Sequence, residues 1–230
     1  MTIMSEPNKP PPRRWPWIVG VAAVLAVAVV AVLLAVNPNR PPTPTGSSTP
    51  SATSTTEPTD AAPTGCLGGP TRDADMLLAA QKAAPHTTNG ATEVAAALVR
   101  WTFRYPTFTQ GEAEVVSDNI ISKSATPEFK DLAGSIQKHP NNSGGVVADG
   151  VPFYLSTAPG VWYLESAASD SVKVSIGAGY VVNGALSPEL RSSTTVEMVW
   201  EDGGWHAKSG SITRTTEELF RIGTAFTGGC

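Results

Sequence analysis

The chain is short of the residues that catalysis and metal binding most often use. Its 230 residues contain three histidines and two cysteines. His86, His139 and His206 are isolated, with no H-x-x-x-H or H-x-x-E pairing, so no zinc site and no other metal is expected. The first two fall at loop edges and the third on an outward strand face, where solvated side chains are expected. There is no P-loop and no G-x-G-x-x-G, the backbone cradles of phosphate and dinucleotide cofactors. No cofactor is therefore expected. Charge is sparse as well, at 16% of residues. From residue 65 onward twelve Lys and Arg face seventeen Asp and Glu, a balance of −5 with no basic cluster. Nucleic-acid binding needs positive charge to displace counterions, and docking on anionic lipid needs it too, so both are disfavoured.

One long run is free of charge altogether. Trp17 to Val36, WIVGVAAVLAVAVVAVLLAV, covers roughly 30 Å as a helix, the thickness of a bilayer's hydrocarbon core. In lipid the backbone must satisfy itself, so residues 17–36 are expected to form a transmembrane helix. Lys9, Arg13 and Arg14 precede the run and only Arg40 follows closely. Positive charge stays inside, which makes 1–16 a cytoplasmic tail and places the rest outside the cell membrane as a single-pass protein. Trp15 and Trp17 suit the headgroup region at its start. The alternative is a cleaved signal peptide. Its apolar region is shorter, about 7–15 residues, although small residues within this run are compatible with cleavage.

Residues 37–64 read as a disordered linker, with seven Pro, eight Thr and four Ser. They have almost nothing to bury, and proline biases them to extended forms that reach on the order of 85 Å at full stretch. Residues 65–230 are long enough for one domain with its own core. Cys66 opens that domain and Cys230 ends it. Outside the membrane an intramolecular disulfide is expected, closing the ends of the domain, with free thiols or an intermolecular bridge as the alternatives.

The periodicity then divides the domain. Helices are predicted over 73–84, 91–105, 112–121 and 126–138. Val94, Ala97, Leu98 and Trp101 form one apolar stripe, and Phe129, Leu132, Ala133 and Ile136 another. Thr126 and Pro127 suit a helix start. Arg100 and Arg104 are assigned to the helix end and solvent. After residue 145 the period changes to two. Strands are predicted over 147–156, 160–167, 171–182, 194–201 and 205–212, with a hairpin at Asp202-Gly203-Gly204. Glycines in 171–182 suggest a bulge or bend. A last helix is predicted over 216–226, with Leu219, Ile222 and Phe226 inward. Helices followed by an antiparallel meander make the class α+β: N-terminal helices packed on a curved antiparallel sheet.

The helix AAALVRWTFRYP, the strand SVKVSIGAGYVV and the hairpin VEMVWEDGGWHAKSG together resemble the nuclear-transport-factor-2-like superfamily over roughly residues 88–226. The resemblance implies a cone-like fold. The tail, span, linker and external domain also resemble two groups of envelope proteins. One is the bitopic scaffold subunit of type IV secretion and Gram-positive conjugation machines. The other is the membrane proteins associated with mammalian-cell-entry lipid transporters. These resemblances imply an assembly role among protein partners, with possible homo-oligomers, and no catalysis. No site motif is shared, so no functional residue carries over.

Three local motifs bear on chemistry. Ser135 to Lys138 is S-x-x-K, Ser117-Asp118-Asn119 is S-D-N, and Lys208-Ser209-Gly210 is K-S-G, the set of penicillin-binding enzymes. Their order along the chain is wrong for that family and the domain is too small. The carboxylate pairs Glu112/Glu114, Glu217/Glu218 and Glu201/Asp202 fall at helix starts and in a turn, not in apolar stretches that would raise a pKa. The expectation is a non-enzyme. Six aromatics remain as candidates to line a pocket at the open end of the cone: Trp101, Tyr105, Trp162, Tyr180, Trp200 and Trp205. The plainer reading makes them core. Two roles follow: a scaffold subunit of an envelope machine, or a module holding an apolar small molecule or peptide.

Overall fold

The computed structural model describes residues 60–230. The tail 1–16, the expected span 17–36 and most of the linker 37–64 lie outside the described residues. Among the described residues no helix is long and apolar enough to cross a membrane.

Each helix starts where a short polar side chain caps it. Asp73 accepts from the Met76 N–H at 2.8 Å and opens α1, Ala74–Ala83. Thr87 does the same for α2, Thr88–Thr102. Helix α2 is not the one-striped helix expected. Every residue from Gly90 to Trp101 is buried, because α2 touches α1 and strands of the sheet at once. It also starts and stops earlier than its periodicity implied. Phe103 leaves the helix, and Arg104–Tyr105 form β1. Thr109 and Glu112 make a reciprocal capping box at the head of α3, Gln110–Asn119.

The single helix predicted over 126–138 is two: α4, Pro127–Lys130, and α5, Leu132–Lys138. Asp131 breaks it. Its carboxylate accepts from the Gly134 N–H at 2.9 Å, the local bond that turns an aspartate into a cap instead of a helix interior. Phe129, Leu132, Ala133 and Ile136 are only partly buried, for a reason given below.

The sheet is an antiparallel meander in the order β1-β2-β3-β4-β5, curled into a half-barrel with the helices packed on it. Its long strands are β2 (Phe153–Ala168), β3 (Ser171–Val182), β4 (Ala185–Glu201) and β5 (Gly204–Ser211). The class is α+β. The two strands predicted over 147–156 and 160–167 are one strand, β2, whose pairing with β3 slips between Ser156 and Gly160. The predicted bulge in β3 lies between Gly179 and Val181. Strand β4 starts nine residues before the predicted 194, because Asn183 and Gly184, at φ 51° and 78°, make a tight turn out of β3. Inward residues of β3, Val172, Val174, Ile176, Ala178 and Tyr180, are all buried. The outer face is covered in its middle by α6, Thr216–Ile222: a Cβ on Gly177 would stand 2.8 Å from Phe220. Helix α6 is shorter than the 216–226 expected, since Thr224–Ala225 pair with β2 as β6.

The ends of the domain meet at the slip in β2. Cys66 and Cys230 form a disulfide with their Cα atoms 5.4 Å apart. Thr157 joins both ends: its N–H donates to the Cys230 carbonyl at 3.0 Å and its hydroxyl to the Gly65 carbonyl at 2.8 Å. Glu93 of α2 accepts from the N–H and the hydroxyl of Thr64 and from the Gly65 N–H. Arg100, two turns on, donates to the carbonyls of Gly69 at 2.6 Å and Thr71 at 3.0 Å. Its side chain is fully buried, which corrects its assignment to solvent. Removal from water pulls its pKa down to about 10, Arg72 adding to the fall and Glu93 opposing it. It remains cationic at neutral pH.

Candidate functional site

The inward side chains of β4 shrink along the strand. Trp200, Met198 and Val196 are followed toward its N-terminus by Thr194 and Ser192. Their cross-strand neighbours on β3 are Ile176 opposite Thr194 and Ala178 opposite Ser192. On β5 the partner of Val196 is Gly210, whose missing Cβ would stand 3.2 Å from the Phe129 ring. Small residues thus sit where a packed sheet would place bulky ones. The result is a cavity of about 800 Å³ between the sheet, α2 and the α4–α5 arm.

Leu98, Val99, Phe103, Ile121 and Val196 give it an apolar floor. Phe129 and Leu132 close it from the arm, and this is why that arm is half-buried: its apolar side faces a cavity, not a filled core. The mouth lies beside Val146 and Ile212, which are 46% and 78% exposed. Here β4 runs past β5, whose pairing ends at Thr195 and Ser211.

The polar groups of the lining are mostly hydroxyls. Tyr180 lies with Ser192 beside its phenol; burial pushes its pKa up and the Ser192 hydrogen bond partly offsets the rise. The ionisable lining residues with full charge are Glu128, Arg191 and Arg214. Arg214 is spoken for. It is paired to both oxygens of Glu165, at 2.7 and 2.8 Å, and to Glu218. The Glu165 bonds, with Glu218 adding, hold its pKa above its ordinary value. Glu165 in turn is held below the usual carboxylate range, first by Arg214 and then by the Ser175 hydroxyl, against burial. Arg191 has no carboxylate partner among the described residues and lies over the Phe220 ring at 4.5 Å. The lining holds no histidine, cysteine, aspartate or lysine.

Of the six aromatics singled out in the sequence, Tyr180 lines this cavity. Trp101 is fully buried and stacks on Phe108 at 4.2 Å. Tyr105 on β1 and Trp162 on β2 are partly buried against the core. Trp200 and Trp205 sit at the β4–β5 turn. His86 stacks on Trp200 at 4.1 Å and meets Asp170 at 2.8 Å, and the Trp205 indole donates to the Pro85 carbonyl at 2.9 Å. His86 is exposed, as expected of a loop-edge histidine, while one ring face packs on an indole. The three penicillin-binding-type motifs do not converge. Lys208 and Ser209 both bond Glu197, and Ser117 donates to the Lys130 carbonyl. Glu201 accepts from Ser122 and the Lys123 N–H. Burial pushes its pKa up, but these bonds outweigh it and leave it below its ordinary value. Among the described residues no group of three or more His, Cys, Asp and Glu is placed to hold a metal.

Reasoning from the sequence missed Arg191, Ser192, Thr194 and Gly210. The signal was present as three small hydroxyl residues in succession, Ser192-Ser193-Thr194, inside a β-pattern, where bulky residues normally fill a core.

The class defined by these observations is an α+β domain with helices on a curled antiparallel half-barrel and an apolar cavity between the two layers. No protein-family model, curated protein or solved structure matches the chain.

Proposed function

We propose that the chain is a membrane-tethered, non-catalytic binding module whose cavity receives an apolar small molecule. The span over 17–36 would hold it in the cell membrane with the N-terminus cytoplasmic, and the linker would set the reach of an external domain. The observation that carries this reading is the cavity of about 800 Å³, with its apolar floor and its mouth at Val146 and Ile212. Its size falls in the range of small-molecule sites, about 300–1,000 Å³. Five carboxylates, Glu112, Glu165, Glu197, Glu201 and Asp202, are paired and held below their ordinary pKa values, which suits structural roles for these five. The nuclear-transport-factor-2-like resemblance belongs to the same proposal.

A scaffold role in an envelope machine is the second reading. Crosslinking in the native membrane tests it through recovery of secretion or transfer subunits.

The test of the first reading uses the full chain, purified in mild detergent and extracted with organic solvent. Wild type should release a small amphiphile or hydrocarbon in near-stoichiometric amount. Thr102→Trp, which fills the cavity from the end of α2, should release far less. Equal amounts from both would contradict the reading.

A further inference from the structure

The polar groups of the cavity narrow what it holds. Thr194 pairs with Ile176 and Ser192 with Ala178, which sets both small hydroxyl residues on the inner face of the sheet, near Tyr180. Ser192 and the Tyr180 phenol hydrogen-bond one another. Thr102 adds a hydroxyl residue at the end of α2. The Thr102 and Thr194 hydroxyls have no protein partner among the described residues. Each can donate one hydrogen bond and accept others, and neither carries charge.

The charges of the lining stand elsewhere. Arg191 is the strand neighbour of Ser192, so it points to the outer face, where its guanidinium lies over Phe220 of α6 at 4.5 Å. Arg214 is paired to Glu165 and Glu218, and Glu165 also accepts from Ser175, an outward residue of β3. Glu128 is exposed on α4. An ionised head drawn in against the inner hydroxyls would lose its water and meet no countercharge, which is costly. A headless hydrocarbon would displace water from those hydroxyls and leave them unpaired, which is costly in turn. A neutral hydroxyl or carbonyl avoids both costs.

We propose that the cavity takes an uncharged amphiphile with a hydroxyl or carbonyl head, a long-chain alcohol being the simplest. Its apolar body lies against Leu98, Val99 and Val196, and its head meets Ser192 and Thr194. This rests on the ligand-binding reading above and adds the class of ligand and the residues that select it.

The test photolabels the full chain in lipid nanodiscs with four diazirine probes of equal chain length. These are hexadecanol, its sulfate ester, the matching trimethylammonium and the plain alkane. Crosslinked peptides are mapped, with albumin as the labelling control. The alcohol should label peptides of 98–103, 129–135 and 190–196 about tenfold more than either charged probe and about fivefold more than the alkane. Thr194→Val, which keeps the shape and removes the hydroxyl, should erase most of the preference for alcohol over alkane. Tyr180→Phe is the second variant and should weaken the same preference. Alkane labelling retained in both variants shows that the cavity is intact. If a charged probe labels these peptides as well as the alcohol does, the uncharged class is wrong while the cavity reading stands. Equal labelling by alcohol and alkane in wild type, or a preference unmoved by both substitutions, would overturn selection by the hydroxyls. If no probe labels these peptides while albumin is labelled, the ligand-binding reading itself fails and this inference with it.

Discussion

Around Thr157 and around Ser192 the same sheet meets two different fates. At Thr157 the chain ends converge and polar groups are matched. Its N–H and hydroxyl serve Cys230 and Gly65, Glu93 gathers the N–H groups of 64–65, and Arg100 gathers the carbonyls of 69 and 71. Two buried charged side chains and a disulfide hold that region in one arrangement. At Ser192 the strand carries small side chains, an arm of two short helices stands across a gap, and apolar residues reach solvent at the rim. Rigidity is concentrated where it ties the termini, and space is left where a ligand fits. Packing there is poor for stability and suited to binding, since a cavity forfeits the dispersion contacts of its lining.

The contrast gives a graded set of expectations for unfolding of the full chain. The largest effect is at the clasp. Replacing Cys66 and Cys230 together by serine should cost roughly 2–5 kcal/mol, with about 5 as the chain-entropy ceiling for a loop this long. A loss below about 1 kcal/mol in denaturant titration would mean the clasp is held without it. Next is Arg100→Met, which leaves carbonyls of Gly69 and Thr71 unpaired in a buried site; about 2–3 kcal/mol should be lost. At the cavity the sign reverses. Thr194→Leu adds apolar volume to unfilled space and should be neutral or stabilising by up to roughly 1 kcal/mol, while abolishing ligand uptake. Clear destabilisation would show the space to be already filled.

The smallest effect separates the regions by pH. The folded pKa of Glu165 lies below its ordinary 4.5, held there by Arg214. Its contribution is therefore complete above about pH 4.5 and is lost as pH falls through the lower folded value. Glu165 ties Arg214 at the cavity rim, so hydrogen exchange over 211–219 should rise on acidification below 4.5 before exchange at 226–230 does. Simultaneous rise in both would erase the distinction.

Much of the fold was legible because local chemistry agreed with the tertiary result. Thr126 and Pro127 start a helix, Asp202-Gly203 turns a hairpin, and the alternation in β3 reports its buried face. The failures share a cause. Asp131 falls inside the helix predicted over 126–138, and only its bond to the Gly134 N–H makes it a boundary. Asn183-Gly184 was an unread hairpin signal, and so the first half of β4 was missed. Arg100 lies on a helix face that periodicity marks as polar, yet the segment 65–71 folds over it. The cavity was least legible. Large aromatics are conspicuous in a sequence, whereas an empty volume is written in small residues on different strands, and only register sets Ser192 opposite Ala178 and Gly210 opposite Val196.

The central claim is that the space beside Ser192 is a ligand site distinct from the clasp. Hydrogen exchange of the full chain in nanodiscs, with and without a saturating uncharged apolar probe such as hexadecanol, tests it most directly. The account predicts slowing confined to 98–103, 129–135 and 190–196, with 64–71 and 226–230 unchanged. No change at the cavity segments, or equal slowing at the clasp, would contradict it.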